Sequence, residues 1–297
     1  MYSIRLNITS PNSTSQKESL MMKRTVFFWI IAVVITLISL VYQRVTGPTY
    51  HVSGTTQLNG KSIEYKLNRS YDGPDNAPVQ LKTDDQSITG ILLWKRYKTD
   101  DPWTQVPLTF SDGALKGELP HQPVAGKLMY KVELQQGDQH VSLSGNEPIV
   151  IRFRNPVPIW IVIPHVLAMF GAFLFSARAG LEFFSKEPKL KNLIYLTLGS
   201  LIVGGFILGP LMQYFSFNVW WTGWPVGNDL TDNKTAAAFI AWVVAAIVLG
   251  RAKHPTRWAL AASIITVAVY LIPHSVLGSE LDYNKMDKQS TKTVAPQ

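Results

Sequence analysis

The 297-residue sequence has no cysteine. That absence excludes disulfides, thiolate zinc sites, cysteine nucleophiles and c-type haem attachment together. Acidic residues are also short, 20 against 28 Lys and Arg, leaving a formal charge of +8. The imbalance is local, because residues 48–156 hold twelve of each sign. The surplus falls in the N-terminal segment (Arg5, Lys17, Lys23 and Arg24), at Arg44, around 176–191 and within 251–257, most of it beside apolar runs. Lys and Arg so placed report membrane orientation. A nucleic-acid partner would need them on a folded domain, so none is expected. Phosphate-binding glycine loops, dinucleotide fingerprints, H-E-x-x-H and G-x-S-x-G are missing too. No reaction is written in the chain, and whether it is an enzyme stays open.

Long apolar runs are what the sequence does have. Residues 25–43 (TVFFWIIAVVITLISLVYQ) are long enough to cross a bilayer. No A-x-A site follows, so the run reads as a retained anchor, with Lys23 and Arg24 holding its start in the cytoplasm. Residues 1–24 are polar and are expected to be a disordered cytoplasmic segment, with Met21 or Met22 as an alternative translation start. Four further spans are predicted at 157–176, 192–213, 235–250 and 258–277, followed by an outer tail at 278–297. The basic loops between them all fall inside, giving five transmembrane helices, N-terminus in and C-terminus out, in a bacterial cytoplasmic (inner) membrane. Gly205-x-x-x-Gly209 predicts a close helix contact. Arg178 and Glu182 form an i,i+4 pair that requires no function.

Between the first two spans the pattern changes. In GKLMYKVELQ (126–135), Leu128, Tyr130, Val132 and Leu134 share one face, and similar short runs recur at 62–67, 77–82, 90–97, 105–110, 139–143 and 148–154. Turn residues such as Asp72-Gly73-Pro74, Asp112-Gly113 and Gly137-Asp138 separate them. The predicted fold class is therefore a membrane all-α bundle with an inserted extracytoplasmic all-β sandwich at 48–156. The run from Trp94 through WTQVP and GALKGELP to YKV resembles fibronectin-III or immunoglobulin-like modules. Such folds host many functions.

Three groups of residues could carry chemistry. His165 in VIPHV and His274 in LIPHS each follow an Ile-Pro pair towards the outer end of a predicted span. Ionisable groups in a membrane are costly and often functional. Two facing imidazoles could ligate the iron of haem b or bracket a quinone headgroup; each could equally hydrogen-bond a carbonyl freed by its proline. The second group is WWTGWPVGNDLTDNKT (220–235). Trp220, Trp221 and Trp224 fit an interfacial aromatic belt, and Thr231 or Asp232 could cap the next helix. The third is GSELDY (278–283), where Glu280 and Asp282 could join Asp229 and Asp232 in an outer acidic cluster, or simply lead into a solvated tail.

The tryptophan loop resembles the tryptophan-rich, Asp-containing motif of haem-handling proteins of cytochrome c maturation. The resemblance covers some sixty residues, without that family's W-G-x-x-W-x-W-D spacing. It implies a haem platform from Trp220, Trp221, Trp224 and Asp229, flanked by His274. The whole chain also resembles bacterial five-helix membrane proteins ending in an IPHSxxGSELDY-like segment, a grouping that brings no activity with it. The expectation is an accessory protein of a redox or haem pathway, with an outer site for haem b or quinone between the second and fifth spans. The alternative is a non-enzymatic scaffold or assembly factor whose sandwich binds an extracytoplasmic protein or a larger membrane complex.

Overall fold

A computed structural model describes residues 11–273, 278 and 280–294. The chain divides into two compact units. One holds the helical segments up to Tyr42, Val166–Gly204 and Thr235–Leu271; the other holds Gln43–His165, Gly205–Lys234 and the segment from Ile272 onwards.

Helix α1 (Pro11–Thr46) begins well before the apolar run. Residues 11–24, expected to be disordered, continue the helix. Once a long apolar segment is helical, each added residue closes one hydrogen bond for two fixed dihedrals, and proline suits the first helical position. The β-rich region follows: β1 (Val52–Leu58), β2 (Lys61–Leu67), β3 (Ser70–Tyr71), β4 (Ala77–Lys82), β5 (Thr89–Arg96), β6 (Thr104–Pro107), β7 (Thr109–Ser111), β8 (Ala114–Leu119), β9 (Lys127–Gln136), β10 (Gln139–Ser142) and β11 (Ile149–Phe153). One sheet runs β3-β11-β9-β5-β6 with β10 added to β9, a second β4-β8-β7, and β1-β2 form a hairpin. All pairs are antiparallel except β3 with β11. Leu128, Tyr130, Val132 and Leu134 are buried as the alternation of β9 predicts, against Leu81, Leu92, Leu115 and Leu119. The Tyr130 hydroxyl donates to the Asn68 carbonyl at 2.7 Å, so its polar tip is satisfied inside the core. This is a β-sandwich.

The remaining helices are α2 (Ile159–Leu181), α3 (Leu190–Leu201), α4 (Gly209–Phe217), α5 (Leu230–Val248), α6 (Pro255–Leu271) and α7 (Tyr283–Val294). A π-helical turn at Ile202–Leu208 joins α3 to α4. Pro210, which lacks the donor an α-helix would aim at the Phe206 carbonyl, follows directly. Among the described residues four stretches are long and apolar enough to cross a membrane: Met21–Thr46, Ile159–Phe184, Leu190–Phe217 and Leu230–Val248; Pro255–Leu271 is apolar but shorter. The protein is a membrane protein whose helical surfaces contact lipid.

In the helical unit, close packing relies on small residues. A Cβ on Gly180 would lie 2.6 Å from Ser263 Cβ, and one on Gly204 would lie 3.0 Å from Ala168 Cβ. The close approach thus includes Gly204, one residue before the predicted glycine pair. Trp242 is fully buried and donates to Thr266 Oγ1 at 2.9 Å. The Arg178–Glu182 pair is not a surface decoration. Its side chains are 4% and 3% exposed at 2.6 Å. Phe28 and Trp29 of α1 each place a ring 5.5 Å from the guanidinium. The second Glu182 oxygen accepts the Lys189 backbone N–H at 2.9 Å. One ion pair therefore ties α1, α2 and the entry to α3.

Candidate functional site

The 220–235 segment and the C-terminal residues meet in the unit that contains the sandwich. Helix α5 starts at Leu230, five residues before the predicted span, because Asp229 caps it. Asp229 Oδ1 accepts the Thr231 N–H at 2.8 Å and its carbonyl accepts the Asn233 N–H at 3.1 Å. The cap is Asp229 rather than Thr231 or Asp232. Asp232, one turn in, points back at the loop. Its carboxylate accepts the Thr222 N–H at 2.8 Å, the Gly223 N–H at 3.0 Å and Gln213 Nε2 at 2.9 Å. Asn233 Oδ1 accepts the Trp224 N–H at 2.6 Å.

The glycines follow from that geometry. A Cβ on Gly223 would sit 2.6 Å from Asp232 Cβ, and one on Gly227 would sit 2.5 Å from the Thr222 carbonyl oxygen. The loop is folded onto the first turn of α5 and fixed by it. Trp221 stacks on Phe206 and donates to the Trp224 carbonyl, while Trp220 stacks on Tyr214 with ring centroids 4.4 Å apart. Trp224 and Val226 are left 77% and 75% exposed at the tip.

Among the described residues, four charged ones are buried in this unit: Arg152, Asp229, Asp232 and Lys234. Arg152 lies over the Phe217 ring at 4.0 Å. Burial pushes its guanidinium down to about 10, against the opposing pull of Asp229 and Glu280. A Cβ on Gly278 would lie 3.1 Å from Arg152 Nη1 and 3.5 Å from Asp229 Oδ2, so the chain crosses here without a side chain. Lys234 donates to the Ile272 carbonyl at 2.8 Å, just beyond the end of α6. Two positive and two negative groups share the region. Arg152, Gln213 and Lys234 were not singled out from sequence: Lys234 reads as the polar edge of a span, and Arg152 as an ordinary strand residue.

The C-terminal segment is a strap on the sandwich rather than a solvated tail. Glu280 bridges Lys98 at 2.8 Å and Lys127 at 2.7 Å. Burial raises its carboxyl, but hydrogen bonds from these two lysines outweigh that and hold it below the ordinary range. Lys127 is itself lowered by burial, which Glu280 offsets only in part. The Leu281 N–H donates to the Ala125 carbonyl at 3.1 Å. Tyr283 is buried and its hydroxyl donates to Gln122 Oε1 at 3.0 Å, over a glycine (Gly126) whose Cβ would lie 2.8 Å from that hydroxyl oxygen. Asp287 and Asp101 both pair with Arg96. Asp282 is the cap of α7, accepting the Lys285 N–H.

Trp220, Trp221, Trp224, Asp229 and Asp232 belong to one loop and helix start; Glu280 and Asp229 both act on Arg152, while Asp282 caps α7. His165 is half-buried in α2, directly after Pro164 within that helix. His274 lies outside the described residues, and α6 ends at Leu271. Among the described residues no three His, Asp or Glu side chains gather as a metal ion requires. No family model matches the chain, and neither a curated protein nor a solved structure matches it.

Proposed function

We propose that the chain is a membrane-embedded scaffold whose β-sandwich binds an extracytoplasmic protein partner. The observation that carries this reading is the inward use of the loop's polar groups. Asp232, Asp229 and Asn233 bond the protein's own backbone, which makes a rigid mount. On the sandwich, β6 has β5 as its sheet neighbour and ends the sheet order, a free strand edge of the kind partners extend. The order β6-β5-β9-β11, with β3 parallel to β11, supports the immunoglobulin-like reading.

Five crossings are supported by parity. The strap touches the sandwich, so an even number of crossings separates them. Three long apolar helices lie between, and α6, roughly 25 Å at 1.5 Å per residue, supplies the fourth. The Lys and Arg of 186–191 and 251–257 then fall on the cytoplasmic side of a bacterial inner membrane, with N-terminus in and C-terminus out.

Photo-crosslinking from Gln105 on β6, with Lys116 on β8 as control, tests the scaffold in intact cells. A discrete adduct from Gln105 and none from Lys116 is the expected result. Equal adducts, or none from any residue of β6, would overturn it. A second reading keeps haem b or quinone, and His165 favours it as an ionisable group half-buried in a candidate span. A Soret band with sharp reduced bands, lost in His165→Ala and in His274→Ala, is its expected signature; a featureless spectrum after haem-replete expression removes the haem version.

A further inference from the structure

In the helical unit, an open groove of about 690 Å³ lies where three helices end. Its walls are the start of α3, the end of α5 and the start of α6: Leu190 and Tyr195 on one side, Leu249, Gly250 and Pro255 on the other. Lys189 and Lys191 stand on its rim. We propose that this groove binds an anionic phospholipid, its phosphodiester between the two lysines and an acyl chain along the apolar wall.

Depth is the first argument. One candidate span begins at Leu190 and another ends at Val248, so the groove opens at the level where spans stop and headgroups begin. Charge is the second. Lys189 and Lys191 are exposed and, among the described residues, neither forms an ion pair. Of the acids in the preceding loop, Glu182 is engaged by Arg178, and Glu187 does not line the groove. The third is the backbone. Lys189 gives the twelve-residue α3 no side-chain cap and its own N–H is taken by Glu182, so the amides of Leu190, Lys191 and Asn192 are the donors at the helix start, where an anion is favoured. An apolar wall under a cationic rim between helices is what distinguishes a phospholipid site from a site for a free anion.

The test is native mass spectrometry of the full-length protein released from nanodiscs of mixed phosphatidylglycerol and phosphatidylcholine. The wild type should retain phosphatidylglycerol selectively. Lys189→Gln/Lys191→Gln should weaken retention about thirtyfold, taking each cationic contact at about a factor of five or six. Leu249→Trp, which fills the groove and keeps its charge, should weaken it as well. Lys186→Gln/Lys253→Gln changes net charge equally outside the groove and should retain the lipid. Equal loss in that control, undiminished retention in the lysine pair, or displacement of the lipid by inorganic phosphate would each overturn the proposal. Gel filtration of each variant in detergent separates loss of lipid from loss of fold.

Discussion

Asp232 is one side chain on which a whole loop depends. Replacing it by alanine leaves the Thr222 and Gly223 amides and the Gln213 amide without their acceptor. A buried donor left unmade costs about 1–3 kcal/mol; the Gly223 amide is buried and the other two donors are part-buried, so Asp232→Ala should destabilise by about 1–3 kcal/mol. Asp229→Ala removes a cap, worth about 1 kcal/mol, together with the carboxylate that favours the charged forms of buried Arg152 and Lys234, so it should cost more than a cap alone. Thermal unfolding in detergent compares the two, with protease cleavage within 220–228 reporting the loop itself. Glu182 makes the same point in the helical unit. Glu182→Ala strands the Arg178 guanidinium and should cost about 3–5 kcal/mol, whereas Arg178→Met/Glu182→Leu should be markedly milder. A double variant no more stable than the single would show that the charge left behind is not the cause. Both arrangements were half legible. Arg178 and Glu182 stand out by their spacing, yet spacing cannot tell an exposed pair from a buried one; that depends on Phe28 and Trp29 arriving from another helix. The tryptophans of 220–224 announce an interface, while the reason for Gly223 lies nine residues away at Asp232.

At the scale of elements, the strands of the sandwich were readable because half-burial imposes a period of two. The beginning of α5 was not. Hydropathy marks the apolar run from Thr235, but a helix held by Asp229 starts with a polar turn that resembles a loop. The strap was invisible for a different reason. Glu280 finds its lysines 153 and 182 positions earlier, and no local pattern encodes a contact of that range. Its pH dependence has a definite sign. The Glu280 carboxyl is held below its unfolded value, so its contribution is complete above about pH 4.5 and disappears as pH falls through the folded value. The protection factor of the Leu281 amide, its exchange relative to the intrinsic rate at each pH, should fall on acidification below about pH 4.5. In Glu280→Gln it should be lower at neutral pH and much less sensitive to acid. An unchanged protection factor down to about pH 3 in the wild type would mean that Tyr283, rather than Glu280, holds the strap.

The absence of cysteine turns the whole-molecule topology into a clean experiment. Single cysteines at Asp75 and Asn284, both exposed, should react with a membrane-impermeant maleimide in intact cells. One at Glu187 should react only after permeabilisation. Labelling of Asp75→Cys without Asn284→Cys would remove α6 as a crossing. On the five-crossing arrangement the strap also sets an order of events during biosynthesis. Strands β5 and β9, with the turn after β5, supply Arg96, Lys98 and Lys127 and leave the ribosome long before Glu280 and Asp287. Their partners reach them only after the final helix has been threaded through the bilayer. A chain arrested short of that step carries Lys98 and Lys127 on its sandwich without the carboxylate that neutralises them, and Arg96 with Asp101 alone of its two partners. The strap thereby records, on the outer surface, that insertion of every preceding helix has been completed.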